Sequence, residues 1–358
     1  VNTCSVRQTS ENKAYGFLQN QKKKNPNSVL AVSGCMVRQT GNRENSKDLL
    51  LKQKAIDFVF RIEDCARLPK LLEPYFPAHD FSAFEQQFGN GSIENYFNIM
   101  PKSESATQAF VPIMQGCDKF CTYCIIPYTR GREISRSMEK IFAECEKLVE
   151  EGAKEIMLLG QNVNSYTENG KRCFSELLKK IDTLHAKGLS RLRFTSAHPQ
   201  DFTEEVVDVL STMKTACPYV HLPVQHGSDK TLKAMNRNYS IEKYENIIRY
   251  IREKIPRCTI ATDIIVGFPG ETEADFKALC DFAERLKFDF SYTAIFSPRK
   301  GTPAEKMKDL FIDDQVKKDR FHIFDDIIKK YAFARRKEFV GETLEVLVED
   351  AEELKNGK

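Results

Sequence analysis

The sequence lacks the features that would send it to a membrane or along a secretory route. No uninterrupted apolar run is long enough to cross a bilayer. The N-terminus has no basic-then-apolar signal pattern. These absences point to the cytoplasm. Charge of one sign is not in excess either: 54 lysines and arginines face 51 aspartates and glutamates. A nucleic-acid partner is therefore not demanded by net charge and would have to be met by a local basic patch. There is no internal repeat beyond an alternation of strands and helices, and no low-complexity segment. Full disulfide pairing is also a poor fit, because eleven cysteines is an odd number in a chain far longer than a small disulfide scaffold. In a reducing compartment, clustered cysteines more often mean metal binding or catalysis.

What is present suffices for two or three domains. The 358 residues are 41% hydrophobic, enough for a sizeable core. The first region reads as a helix over 8–19, a strand over 28–33 ending at Gly34 and Cys35, an apolar run at 56–60 and a helix near 68–72. That order predicts a parallel α/β sheet. Residues 77–105, rich in Phe, Asn, Gly and Ser without a clear period, read as a linker. From about residue 108 the chain repeats strand then helix. Strands are expected at 110–114, 155–159, 191–195, 219–222, 259–266 and 290–295, with helices such as 137–151, 273–286 and 313–339. Six such units imply a parallel sheet curved into part of a barrel, with ligands at the carboxyl ends of its strands.

The strongest chemical signal follows the first of those strands. Cys117, Cys121 and Cys124 form a CxxxCxxC triplet on a loop. Soft thiolates match iron, and three of them leave one iron of a cubane cluster open to bind a substrate directly. Zinc is the alternative, but structural zinc usually takes four ligands as two close pairs, and no second pair lies nearby in sequence.

Later strand ends carry further phrases: Leu159 to Tyr166 (LGQNVNSY), Phe194 to Pro199 (FTSAHP), His221 to Asp229 (HLPVQHGSD) and Thr262 to Thr272 (TDIIVGFPGET). With the triplet and with Pro127 to Glu133 (PYTRGRE), they closely resemble the radical S-adenosylmethionine (SAM) methylthiotransferases. Thr195 to Pro199, Lys233 to Arg237 and Ser297 to Pro303 resemble most the branch that acts on N6-isopentenyladenosine in tRNA. The resemblance runs over nearly the whole chain. It implies an α/β fold: an N-terminal methylthiotransferase domain over 1–80, a linker over 81–105, a partial (β/α)6 radical SAM barrel over 106–339, and the start of an RNA-binding TRAM β-barrel over 340–358. It implies SAM bound to the open iron of a 4Fe–4S cluster on Cys117, Cys121 and Cys124. One-electron cleavage then gives a 5′-deoxyadenosyl radical that takes hydrogen from carbon 2 of the base, where a methylthio group is attached. It also implies tRNA as partner, an electron donor such as flavodoxin or ferredoxin, no membrane and a monomer; the sulfur donor is left open. The rival readings are a methylthiotransferase for a threonylcarbamoylated adenosine or a ribosomal-protein aspartate, and, outside catalysis, a metal-stabilised RNA-binding module.

By the same resemblance Tyr123, Gly160, Gln161, Ser196, Gln225 and Gly267 meet SAM. Each also has a plainer reading. Gly160 and Gln161 fit a strand-to-helix turn capped by Asn162, Ser196 and Gln225 fit buried, satisfied polar groups, and Gly267 and Gly270 fit a turn. Arg130, Arg132 and Arg136 are candidates for RNA phosphates or the SAM carboxylate, against a solvated basic face. His198, His221 and His226 read as supporting residues, and Asp263 as a substrate-orienting group or a helix cap.

Methylthiotransferases carry three N-terminal cysteines for an auxiliary 4Fe–4S cluster, and Cys4 and Cys35 match the second and third, each just before an expected helix. The first would precede Val1. With Val1 in place of methionine and a strand-like pattern at 343–348 close to Lys358, both ends read as truncated, so the auxiliary cluster would lack a ligand. Cys65 reads as a core or helix residue, and Cys145, Cys173, Cys217, Cys258 and Cys280 as packing residues.

Overall fold

The computed structural model describes residues 1–3, 8–84, 92–99, 105 and 107–348. The chain forms two compact units that do not follow chain order. The first consists of Val1–Pro101, Gln115–Arg136 and Ser297–Lys306; the second of Lys102–Met114, Ser137–Phe296 and Met307–Lys358. These boundaries differ from a division by chain order because two later segments pack into the N-terminal region. Within the first unit the Ala304 amide donates to Thr122 O at 2.9 Å, Arg38 donates to Lys300 O, and Arg299 lies 3.8 Å from Glu11.

The first unit holds a small sheet in the order β1 (Asn2–Thr3), β2 (Ala31–Gly34), β4 (Phe58–Val59), β3 (Gly41–Asn42). β1 and β4 flank β2 in parallel, and β3 returns antiparallel. A helix over Gln8–Lys24 carries Glu11 in its first turn and three lysines in its last, both favourable to its dipole. It buries Leu18 against Val32, Val37, Leu50, Leu51, Ile56 and Val59. β2 ends at Gly34, with φ +98°; a Cβ there would lie 2.3 Å from Thr3 O, so the close approach of β1 requires glycine. The helix expected after Cys35 is absent. The chain turns there into β3, because the Asp48 carboxylate takes the amides of Arg38 and Gln39 and rolls the segment into a loop.

In the second unit six parallel strands run in chain order: β5 (Gln108–Pro112), β8 (Glu155–Leu159) and β11 (Arg191–Phe194) in one ladder, β12 (Tyr219–His221), β13 (Thr259–Val266) and β14 (Phe290–Ile295) in another. A bridge from Leu192 to Ala216 links the two ladders. The intervening labels belong to the two-residue stretches β6 (Met114–Gln115), β7 (Ile134–Ser135), β9 (Thr167–Glu168) and β10 (Lys171–Arg172). Helices over Met138–Glu150, Phe174–Asp182, Glu204–Thr212, Ile241–Lys254, Glu273–Leu286 and Asp314–Lys337 alternate with the strands. This is the expected partial (β/α)6 barrel. Strand alternation builds its core: Ala109, Val111, Ile156, Leu158, Leu192, Val220, Ile260, Ile264 and Val266 are buried in a single cluster. One expectation fails. Residues 343–348 alternate like a strand but pair with nothing among the described residues, and Leu344, Val346 and Val348 are exposed. An alternating pattern makes a strand only where a sheet edge accepts it. No described helix is long and apolar enough to cross a membrane.

Tyr244 shows how this core is priced. Its ring is fully buried beside Phe282 and Phe288, and its hydroxyl donates to Leu222 O at 2.8 Å. The Thr262 hydroxyl also donates to that carbonyl at 3.0 Å. Tyr244→Phe is therefore expected to cost only about 0.5–1.5 kcal/mol in denaturant unfolding, since the acceptor stays satisfied. Tyr244→Ala is expected to cost about 3–5 kcal/mol through the cavity it leaves.

Candidate functional site

The loop after β5 is closed at its base by backbone. Cys117 N donates to Gly131 O at 3.2 Å. Gly116 sits at φ +82°, and a Cβ there would fall 2.0 Å from Arg132 O. Asp118 and Glu133 exchange amide-to-carboxylate hydrogen bonds, both 3.2 Å, across the same base. Within the loop Phe120 takes φ +49°, a conformation non-glycine residues adopt where the surroundings impose it. A turn from Cys124 N to Cys121 O (2.9 Å) leads into a short helix over Ile126–Thr129.

Three thiols are thereby held in a desolvated group. Burial pushes the Cys117 thiol up to about 11 and the Cys124 thiol up to about 12, and the neighbouring Cys121 sulfur raises both further. The backbone N–H groups of Lys119 and Ile126 point at the sulfurs of Cys117 and Cys124 and act in the opposite sense. Without a cation the set resists ionisation; with one, each thiol is deprotonated as it binds. No trio of His, Cys, Asp or Glu among the described residues converges on a single ion. In a cubane each of the three thiolates takes a different iron, so the donor set fits a cluster better than zinc.

The three arginines after the triplet go to different places. Arg132 is exposed, pairs with Asp118 at 2.8 Å and lies over the Phe120 ring. Arg136 is buried: it donates to Phe97 O at 3.3 Å and packs over the Phe97 ring, so the expectation that it meets phosphate is corrected. Arg130 turns its Nε–H to the Cys35 sulfur at 3.4 Å. Tyr123 is half-buried.

Cys35 is buried just beyond Gly34, its amide donating to Thr3 O at 3.0 Å. It contributes to the upward push on Cys124, so the two sulfurs are neighbours. A cavity of about 490 Å³ opens beside it, lined among others by Tyr15, Arg38, Asp48, Ile125 and Arg299. Cys4 lies outside the described residues. Cys65 is half-buried in a 3-10 turn over Ile62–Arg67 with its thiol pushed up by burial. Cys145 and Cys258 are buried in the core of the second unit, with Cys173 and Cys280 packed against it.

In the second unit the strand-end loops gather the remaining candidates. Gly160 is packed against Met114, whose Cγ would be 2.6 Å from an added Cβ, so its glycine serves close packing. Gln161 beside it is half-buried. Asn162 caps no helix through its side chain; it donates to Asp201 at 3.0 Å. Ser196 (φ +63°) and Gln225 (φ +75°) both occupy the left-handed region, as does Gly267 (φ +74°). Gln225 is pinned on both sides, its amide to Asp263 O at 2.8 Å and its carbonyl to Ile265 N at 2.9 Å. His198 exchanges hydrogen bonds with Asn164 at 2.8 and 2.9 Å. Asp263 neither caps a helix nor stands alone: it lies in β13 and meets His221 Nε2 at 3.0 Å.

Sequence reasoning missed the centre of this network. His226 and Glu271 are fully buried and 3.1 Å apart. His226 Nδ1 accepts from Ser228 N at 3.0 Å, so Nε2 carries the proton and donates to Glu271. Glu271 also accepts from Gly267 N and from Arg320, both at 2.8 Å. One carboxylate thus ties the loops after β12 and β13 to the last helix. A signal existed: Arg320 interrupts a stripe with Phe324, Ile328 and Ala332 at four-residue spacing, and an arginine on an apolar helix face needs a buried partner.

Comparison with known proteins bears on this geometry. The Radical SAM superfamily model matches residues 111–283, and an uncharacterised family, UPF0004, matches residues 1–60. The tRNA-2-methylthio-N(6)-dimethylallyladenosine synthase of Carboxydothermus hydrogenoformans is 43% identical over 98% of this chain and 78% of its own length. Enzymes of the same name from Pelotomaculum thermopropionicum and Clostridium botulinum are 41% and 42% identical over 100% and 97% of the chain, and over 79% and 76% of their own lengths. Among solved structures, the cobalamin-dependent S-adenosylmethionine radical enzyme OxsB shares the fold, with a TM-score of 0.53 at 14% identity over 89% of this chain and 47% of its own.

The closure at Gly116 yields a direct expectation. Gly116→Ala forces a Cβ onto Arg132 O at a left-handed φ and is expected to destabilise the loop by about 1–3 kcal/mol. The variant should take up less iron on anaerobic reconstitution, with the circular dichroism of the barrel unchanged.

Proposed function

The chain belongs to the radical SAM family of tRNA-2-methylthio-N(6)-dimethylallyladenosine synthases, and from that premise we propose that it attaches a methylthio group to carbon 2 of N6-dimethylallyl (isopentenyl) adenosine beside the anticodon of tRNA. The observation that carries the reading is the desolvated group of Cys117, Cys121 and Cys124 on a loop whose base is closed by Gly131 O, following the first strand of a partial barrel. Family membership brings a 4Fe–4S cluster and SAM. When bound, these supply the one-electron chemistry that activates an unreactive aromatic C–H bond.

The chain's own residues then have assignable tasks. Cys117, Cys121 and Cys124 hold the cluster. The N–H groups of Lys119 and Ile126 steady two of the three sulfurs. Tyr123, Gly160, Gln161, Ser196, Gln225 and Gly267 are assigned to SAM. The strained backbones of Ser196 and Gln225 support that assignment, because such strain persists where surroundings over-determine it. Gly160 acts there through packing and not by yielding space, and the Cβ side of Gly267 is covered by the Lys317 stem. Glu271 holds the Gly267 amide and His226 in place.

Cys4 and Cys35 are assigned to a second cluster, in keeping with the cavity beside Cys35. Arg132, exposed on the cluster loop, is the one of the three arginines placed to meet an RNA phosphate. An unpaired anticodon loop suits such an enzyme because its bases can be splayed out and read on their edges. The partners are tRNA and a small electron-transfer protein such as flavodoxin or ferredoxin. The protein works as a cytoplasmic monomer.

Mass spectrometry of tRNA nucleosides tests the assignment. Cells lacking the gene are expected to lose 2-methylthio-N6-isopentenyladenosine and accumulate the unthiolated precursor. Complementation with the wild type should restore it, and with Cys117→Ala should not. An unchanged profile for that nucleoside would overturn the substrate. The Cys117→Ala protein is also expected to release no 5′-deoxyadenosine from SAM under reducing conditions.

A further inference from the structure

Arg130 and Gly131 are consecutive residues that touch two sulfur sites of the first unit. The Gly131 carbonyl accepts from Cys117 N at 3.2 Å and closes the cluster loop. The Arg130 amide donates to Ile126 O at 2.8 Å, fixing its backbone at the end of the loop's short helix. From there its Nε–H reaches the Cys35 sulfur at 3.4 Å. Cys35 is buried and faces a cavity of about 490 Å³ that also carries Arg38 and Arg299. A neutral thiol is a weak acceptor. A guanidinium laid against buried sulfur suits one that carries negative charge, as a ligand to iron does.

We infer that Arg130 is a positioning residue for the second cluster: its Nε–H donates to the Cys35 sulfur, holds that ligand toward the cavity, and raises the cluster's reduction potential. This rests on the assignment of Cys35 to a second cluster. The sign follows from charge. Reduction adds an electron to a group whose thiolate ligands are already negative. A cationic donor on a ligand sulfur stabilises the reduced form more than the oxidised one. The link also couples the two sites mechanically, since the dipeptide that orients Cys35 is the one that shuts the loop bearing Cys117.

The test uses the reconstituted protein with Cys117, Cys121 and Cys124 all changed to alanine, so that only a second cluster can bind. Iron content and an EPR-monitored redox titration are compared for this background with Arg130 intact, with Arg130→Gln and with Arg130→Lys. Melting temperature serves as the check on folding. The expected result is retained iron, a clearly more negative potential in Arg130→Gln, and a smaller shift in Arg130→Lys, which keeps the charge but not the planar fork. Retained iron with an unchanged potential in Arg130→Gln would overturn the role of Arg130 alone. Absence of iron when Arg130 is intact would overturn the second cluster, and this role with it.

Discussion

Parallel pairing in chain order is the constraint on which the second unit depends. Because β5, β8 and β11 run the same way, as do β12, β13 and β14, every strand ends at the same edge as its ladder neighbours. Each connection must then travel back along the outside as a helix. The loops after the strands inherit one location without any of them being selected for it. Polar groups can be placed there at little cost to the core, since the apolar residues alternate away beneath them. The phrases around Gly160, Ser196, Gln225 and Gly267 all lie on such loops.

That regularity explains what was legible. β8, β13 and β14, and the helix over Glu273–Leu286, match their sequence-derived bounds residue for residue, because each has a strong period and clear punctuation. The Thr272–Asp275 capping box is an example of such punctuation. The cysteine triplet was legible because its ligands are close in sequence. Contacts between distant residues were not: nothing in the spacing joins Arg130 to Cys35 or His226 to Glu271. Arg136 was misjudged for a related reason, since a basic residue in a basic run looks solvated until a ring such as Phe97 is found covering it. Residues 343–348 failed in the opposite sense, a good local pattern without a described sheet to join.

The Glu271 network is a costly way to hold two loops. Removing a carboxylate, a guanidinium and an imidazole from water carries a penalty of several kcal/mol per ion, which their mutual attraction offsets only when every donor is matched. Here four donors converge: the Gly267 amide, the His226 ring and two N–H···O contacts from Arg320. Such an arrangement adds little net stability over an apolar plug. It fixes one geometry for the backbone at Gly267, where an apolar filling would leave the turn free to relax.

The first unit is assembled from three stretches of chain, the last of them Ser297–Lys306. This has a consequence in time. A growing polypeptide exposes Cys117, Cys121 and Cys124 long before residue 304 exists to strap Thr122. The loop is therefore completed late, by a contact of long sequence separation, which makes it slow to form. Until then its thiols stand open to oxidation and to the wrong metal. The order of synthesis thus makes delivery of iron a step that belongs after translation of the barrel, not alongside it.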